Sequence, residues 1–132
     1  EMTHFQMVHK LIKERGLKLG KEKKDFYVHD LMKFIKRGGS EEMVLVDRLL
    51  IAAMIEARSC ERFLTLSENI KDKELSKFYY DLMASEARHY TLFLKLAKKY
   101  GVGVDVDSRW KEFLVEEARI IAGYGNDKAV HG

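Results

Sequence analysis

The sequence lacks proline altogether, so none of its 132 residues has the side chain that breaks helices most strongly. Leucine, lysine, glutamate and alanine, which favour helices, are plentiful. The chain also lacks an apolar run of about 18 residues, the length at which a membrane-spanning helix is predicted. The composition therefore predicts an all-α fold without a membrane span, and the length suits one domain with a single core.

Cysteine and a strong net charge are lacking too. Cys60 is the single cysteine, so the chain cannot form a disulfide within itself, which fits a reducing compartment. No basic and then apolar leader is visible, so export is not expected and a cytoplasmic location is predicted. With 24 basic and 21 acidic residues, the net charge of +3 is only a weak indication of a polyanionic partner.

Hydrophobic periodicity and capping residues predict helices along the whole chain. The predicted segments are about 1–15, 25–37, 41–69, 73–100 and 108–122. Their predicted N-caps are Asp25, Ser40, Asp72 and either Asp105 or Asp107. Because long helices joined by short loops pack as a bundle, residues 1–122 are predicted to form one helical domain and residues 123–132 a frayed tail.

Two of these helices carry a glutamate in the middle of an apolar stripe. In the helix over 41–69 the inward stripe is Leu49, Ala52, Ala53, Glu56, Cys60, Phe63 and Leu66. In the helix over 73–100 it is Leu75, Phe78, Tyr79, Leu82, Glu86, His89, Phe93 and Leu96. Glu56 lies 13 residues before Asn69, and Glu86 lies 14 residues after Asp72. The two carboxylates are therefore predicted to meet at one level of an antiparallel helix pair.

Two Glu-x-x-His pairs extend this pattern. Glu86 with His89, and Glu1 with His4, each place a carboxylate and an imidazole one turn apart on one helix face. Together with Glu56 they match most of the ligand set of a carboxylate-bridged di-iron site, and such donors suit iron or manganese. The alternative is a chance spacing on a surface, because single Glu-x-x-His pairs are common. Burial of an unpaired glutamate on an apolar stripe is costly, which favours metal binding.

Other side chains near these positions are predicted to form ion pairs or to pack within the bundle. Arg58 and Arg88 each lie two residues from a candidate glutamate, and we predict that they form ion pairs rather than contact a substrate. Cys60 is predicted to be a small core residue, and Tyr79 and Tyr90 are predicted to pack within the bundle.

Two segments of the chain resemble the MiaE family of tRNA hydroxylases. They are residues 49–63, which end in Glu-Ala-Arg-Ser-Cys-Glu-Arg-Phe, and residues 84–90, which read Ala-Ser-Glu-Ala-Arg-His-Tyr. Shorter likenesses are Glu1-x-x-His4-Phe5, Arg15-Gly16 and Tyr27-Val28. The resemblance spans about residues 1–122. It implies a ferritin-like antiparallel helix bundle that holds a non-haem di-iron centre.

The resemblance also implies a ligand set for two iron ions. By the family's pattern the ligands are Glu1, His4, Glu56, Glu86 and His89. The family's first helix, which carries one further glutamate ligand, has no counterpart in this chain, and the chain begins at Glu1 within a helical pattern. We therefore expect the chain to be the later part of a longer protein.

The activity implied by the resemblance is that of a monooxygenase. It would hydroxylate the isopentenyl group of 2-methylthio-N6-isopentenyladenosine in tRNA, using dioxygen and electrons from a donor protein. The metal ligands alone leave open an iron-binding or ferroxidase bundle without a tRNA substrate. Lys33, Lys36 and Arg37 form a candidate phosphate-facing patch, for which an ordinary solvated surface is the alternative.

Overall fold

The computed structural model of the protein describes residues 21–35 and 39–131. Within these ranges it is helical and has no strand, which confirms the all-α prediction. The helices are α1 (Lys21–Met32), α2 (Glu41–Asn69), α3 (Lys73–Tyr100) and α4 (Val106–His131). The predicted helix over residues 1–15 lies outside the described residues.

The long helices α2 and α3 form an antiparallel pair, and their ends follow the predicted capping residues. The Ser40 hydroxyl accepts a hydrogen bond from the amide of Met43 at 3.2 Å. The Asp72 carboxylate accepts bonds from the amides of Glu74 and Leu75 at 2.9 and 3.2 Å. These side chains satisfy amides that have no partner within the helix, so the first turns are stable.

Two serines join α2 and α3 close to the loop between them. The Ser67 hydroxyl donates to the carbonyl of Ser76 at 2.8 Å, and the Ser76 hydroxyl donates to the carbonyl of Ser67 at 2.6 Å. This reciprocal pair fixes how far one helix can slide along the other. The register of α2 against α3, which decides which side chains face each other further along the pair, is therefore set near the turn.

The ends of α1 differ from the prediction. Asp25 lies within α1, so it is not an N-cap, and the helix ends at Met32 rather than near Arg37. The helix-forming run of lysines and glutamate over 21–24 extends it backwards. At its end, bonds from Phe34 and Ile35 to the carbonyls three residues earlier, at 3.0 and 3.2 Å, replace the α-helical pattern with a tighter turn.

The bounds of α4 also differ from the prediction. Of the two predicted caps the structure uses Asp105, whose carboxylate accepts a bond from the amide of Ser108 at 3.0 Å. The helix begins at Val106 and continues to His131, so the predicted end near Ala122 is wrong. No proline stops the helix after Ala122, and Gly123 and Gly125 lower the helix propensity there without excluding a helix. The division into a domain over 1–122 and a tail stays a prediction.

The core is centred on α2, which contributes a continuous run of buried side chains from Leu49 to Glu56. The predicted inward stripes are correct in the half of the α2–α3 pair that lies away from the turn. Near the turn, Leu66, Leu75 and Phe78 are exposed, contrary to prediction. Among the described elements, α1 and α4 pack on α2 and on each other, and this end of the pair is left uncovered.

A buried ion pair attaches α4 to α2. The Arg109 guanidinium donates to both carboxylate oxygens of Asp47, at 2.7 and 2.9 Å, and to the carbonyl of Phe34 at 2.9 Å. Its central carbon lies 4.5 Å from the ring centroid of Phe34 and 4.8 Å from that of Phe113. Bidentate bonding and contact with two aromatic faces compensate for loss of water around the buried charge.

No helix in the described part of the chain combines the length and the apolar character that crossing a membrane requires. This agrees with the absence of a long apolar run in the sequence.

Candidate metal centre

Three potential metal ligands meet in the middle of the α2–α3 pair. Glu56 on α2 is fully buried, Glu86 on α3 is buried, and His89, one turn after Glu86, is partly buried. Each offers one donor atom, and these three atoms all lie within 4.8 Å of one another. The prediction that the two carboxylates meet at one level of the pair is confirmed.

The spacing of Glu86 and His89 suits a shared ion better than a direct bond between them. Glu86 Oε1 lies 3.9 Å from His89 Nδ1, which is longer than a hydrogen bond. Two donors that each bind an ion at about 2.1 Å lie at most about 4.2 Å apart. An ion can therefore be held by both side chains without moving either of them far.

The chemistry of the cluster also fits a cation. Glu56 and Glu86 bring two carboxylates into a buried site, where like charges repel strongly because little water screens them. A cation between the carboxylates removes this repulsion. Two carboxylates and one imidazole form a donor set that suits iron or manganese. The described residues thus fit one part of the di-iron ligand set that the family pattern implies.

Several predicted site residues cannot be placed. The following predicted ligands and tRNA contacts lie outside the described residues: Glu1, His4, Lys36 and Arg37. The remaining predicted tRNA contact, Lys33, is exposed directly after α1, and its Nζ lies 3.6 Å from Asp30 Oδ1. The structure therefore brings together Glu56, Glu86 and His89 among the predicted ligands, and it leaves the second Glu-x-x-His pair as a prediction.

One buried carboxylate that matters for the fold, Glu117 on α4, was missed by the sequence analysis. Arg58 donates to both of its oxygens at 2.7 Å, and the Tyr27 hydroxyl donates to it as well. The network joins α1, α2 and α4. A signal was present, because Glu117 lies on the buried stripe between Phe113 and Ile120, as Glu56 does on the stripe of α2.

The network keeps both donors protonated. Burial raises the pKa of Tyr27, and its hydrogen bond to Glu117 raises it further. The hydrogen bonds from Arg58 to Glu117 raise the pKa of Arg58 against the opposing effect of burial. Glu117 is therefore fully engaged as an acceptor. The prediction that Arg58 forms ion pairs is confirmed, since it also binds Glu61 at 2.6 Å.

Cys60, one turn after Glu56, contacts α3 as well. Its Sγ lies 3.1 Å from the carbonyl oxygen of Met83, to which the thiol donates. Burial raises the pKa of the Cys60 thiol, and the negative charge of Glu61 adds to this effect. The thiol is therefore a protonated packing group, but Cys60 is only partly buried rather than the core residue that was predicted.

Two curated proteins are similar to this chain, and both are named tRNA 2-(methylsulfanyl)-N(6)-isopentenyladenosine(37) hydroxylase. The protein from Pseudomonas putida is 42% identical over 106 residues, which cover 80% of this chain and 50% of the relative. The protein from Salmonella typhimurium is 36% identical over 121 residues, which cover 92% of this chain and 43% of the relative. The chain thus spans about half the length of the curated relatives it matches.

A family model described as tRNA-(MS[2]IO[6]A)-hydroxylase (MiaE) matches residues 1–132. No solved structure matches the chain. The match covers the segments that hold Glu56, Glu86 and His89. The chain therefore belongs to the MiaE family.

Proposed function

We propose that the protein hydroxylates the isopentenyl group of 2-methylthio-N6-isopentenyladenosine in tRNA, as a non-haem di-iron monooxygenase. The observation that carries this proposal is the buried cluster of Glu56, Glu86 and His89 in a chain of the MiaE family. Both relatives have names that state hydroxylation of this nucleoside. We propose the same activity for this protein.

Two iron ions would be held by side chains of the bundle. Glu56, Glu86 and His89 would supply part of the ligand set, and Glu1 and His4 are the predicted ligands of the second ion. When bound, the iron pair would supply the activation of dioxygen and the insertion of one oxygen atom into a carbon–hydrogen bond. Electrons would come from a separate donor protein.

The protein's own residues supply position and a dry environment. Ala52 and Ala53, one turn before Glu56, are buried, and Phe93, one turn after His89, is buried too. These apolar neighbours exclude water from the cluster and are compatible with the hydrocarbon substituent of the substrate. Because His89 is the partly exposed ligand, we infer that the substrate approaches from its side. The modified base would have to leave its stack to reach this depth.

The partners and the location follow from the substrate. tRNA is the proposed macromolecular substrate, dioxygen is the co-substrate, and the cytoplasm is the compartment in which we propose that the reaction takes place. A ferroxidase bundle without a tRNA substrate would use the same ligands, so the test must separate iron binding from turnover.

The test combines iron content with product formation. Purified protein is loaded with ferrous iron without oxygen, its iron is counted and its Mössbauer spectrum recorded. It is then given dioxygen, a reductant and tRNA that carries the prenylated nucleoside. We expect about two irons per chain and hydroxylated nucleoside after digestion of the tRNA. Iron without hydroxylation would overturn the proposal in favour of the ferroxidase, and the absence of iron would overturn both.

Matched glutamine variants locate the site. In Glu86→Gln one oxygen donor becomes an amide, and we expect loss of bound iron and at least a hundredfold loss of hydroxylation. Glu74→Gln changes an exposed glutamate in the first turn of the same helix and serves as the control. Equal effects of the two substitutions would contradict the assignment of Glu86.

A further inference from the structure

We propose that the exposed face of the second half of α3 is the surface on which the tRNA backbone docks. This cationic face is defined by Arg88, Lys95 and Lys99, which follow one another at helical spacing. The inference rests on the proposed function and adds a location for the substrate. It places tRNA on the helix that carries two of the candidate metal ligands rather than on the Lys33 patch.

The charge of α3 changes sharply at the metal centre. From Lys73 to Glu86 the helix has two lysines and three acidic residues. From 87 to 104 the chain has four lysines and arginines and no acidic residue. A positive potential of this kind, close to a catalytic centre, attracts a polyanion and repels negatively charged competitors.

The cations of this half of α3 differ in whether they pair with another described residue. Lys98 is 3.3 Å from Asp107 and helps to hold α4. Arg88 and Lys95 are exposed and form no ion pair within the ranges that the structure describes. The predicted ion pair of Arg88 is therefore not found among the described residues, and for the rest of the chain it stays a prediction. The helix dipole favours cations in the last turn of α3, but these two residues lie before that turn.

A groove lies between these two cations. It has a volume of about 400 Å³ and is lined by Ala87, Arg88, Thr91, Leu92 and Lys95. Arg88 and Lys95 are seven residues apart, so they stand about 10 Å apart along the helix axis. The small side chains of Ala87 and Thr91 let a bulky ligand approach the helix. A cation at each end and an apolar part between them suit a sugar–phosphate chain.

The position of the groove agrees with the proposed chemistry. Ala87 and Arg88 lie in sequence between Glu86 and His89, so along the axis of α3 the groove begins at the height of the candidate metal ligands, on the exposed side of the helix. A strand held by Arg88 and Lys95 would cross α3 at the height of the partly exposed His89. Phosphate contacts of this kind fix the register of a nucleic acid, whereas the pocket reads the base.

The test measures RNA binding separately from turnover. The probe is a labelled RNA stem-loop that carries 2-methylthio-N6-isopentenyladenosine, and its Kd is measured by fluorescence anisotropy at several salt concentrations. We expect the double variant R88A/K95A to raise the Kd about tenfold or more. We also expect the slope of log Kd against log salt to decrease by about 2, one for each lost phosphate contact.

The control removes the same charge from another part of the helix. K73A/K77A deletes two exposed lysines in the first half of α3, and we expect it to change neither the Kd nor the slope appreciably. Equal effects of both double variants, an unchanged Kd in R88A/K95A, or no RNA binding by the unaltered protein would overturn the proposal. Binding that depends on Arg88 and Lys95 without any hydroxylation would overturn the proposed function and leave this docking surface in place.

Discussion

Cys60 shows how the surroundings of a single residue set its chemistry. Its thiol is partly buried against α3 and lies near the negative charge of Glu61, and both effects disfavour the thiolate. The cysteine therefore behaves as a small packing group in spite of its nearness to Glu56.

The raised pKa of Cys60 gives a prediction that depends on pH. Reaction with iodoacetamide requires the thiolate, so its rate in the folded protein should rise at a higher pH than in the protein unfolded in urea. Because removal of the Glu61 charge favours the thiolate, Glu61→Gln should move the folded profile to lower pH. The measurement is the alkylation rate by mass spectrometry. A folded profile that coincides with the unfolded one would contradict this account.

At the scale of an element, Gly101 decides how closely the end of α3 approaches α2. A Cβ built at this position would lie 2.4 Å from Val46 Cγ2 and 2.6 Å from the carbonyl oxygen of Ala97. Its φ angle of −86° is open to any residue, so the close approach rather than the backbone conformation requires glycine. The glycine that was predicted to end the helix is thus also a packing residue.

We predict opposite effects for two glycine-to-alanine substitutions. Gly101→Ala should lower the free energy of unfolding by about 1–3 kcal/mol, because the core must move to admit the methyl group. Gly123→Ala should raise it by about 0.5–1 kcal/mol, because nothing lies within 4 Å of the added atom and alanine favours the helix. Urea unfolding of both variants measures this. A Gly101→Ala protein as stable as the unaltered protein would contradict the role given to the close approach.

At the scale of the whole molecule, two polar networks attach the shorter helices to the pair that carries Glu56, Glu86 and His89. Arg109 and Asp47 join α4 to α2, and Glu117 joins α1, α2 and α4 through Tyr27 and Arg58. Buried networks of this kind favour one arrangement of helices because each alternative leaves a charge without its partner. They hold α1 and α4 against α2, the helix that carries Glu56.

Because the Glu117 network joins three helices, we predict that removal of one of its hydrogen bonds lowers the stability of the protein. In Tyr27→Phe the carboxylate loses one donor, and we expect the free energy of unfolding to fall by about 1.5–3 kcal/mol, as for other hydrogen bonds to charged groups. Tyr80→Phe changes an exposed tyrosine and is the control. Urea unfolding followed by circular dichroism is the measurement. A Tyr27→Phe protein as stable as the control would show that this bond contributes nothing to docking of α1.

The sequence by itself determined the parts of this protein that depend on local signals. Ser40 and Asp72 cap their helices as predicted, because a capping side chain bonds amides only two or three residues away. The meeting of Glu56 and Glu86 followed as well, since the constant rise of a helix converts their distances from the turn into equal heights. The MiaE resemblance was readable for the same reason, because its motifs are continuous strings.

Only the tertiary structure decided what depends on distant residues. The partners of Glu117 lie 59 and 90 residues away, and no local pattern pairs them. The exposure of Leu66, Leu75 and Phe78 depends on which helices cover the end of the pair, whereas periodicity reports only which face is apolar. The sequence alone likewise does not distinguish Arg88 and Lys95 from Lys98. Only the tertiary structure shows that Lys98 has Asp107 of α4 as its partner. Long-range packing selects among the contacts that the sequence permits.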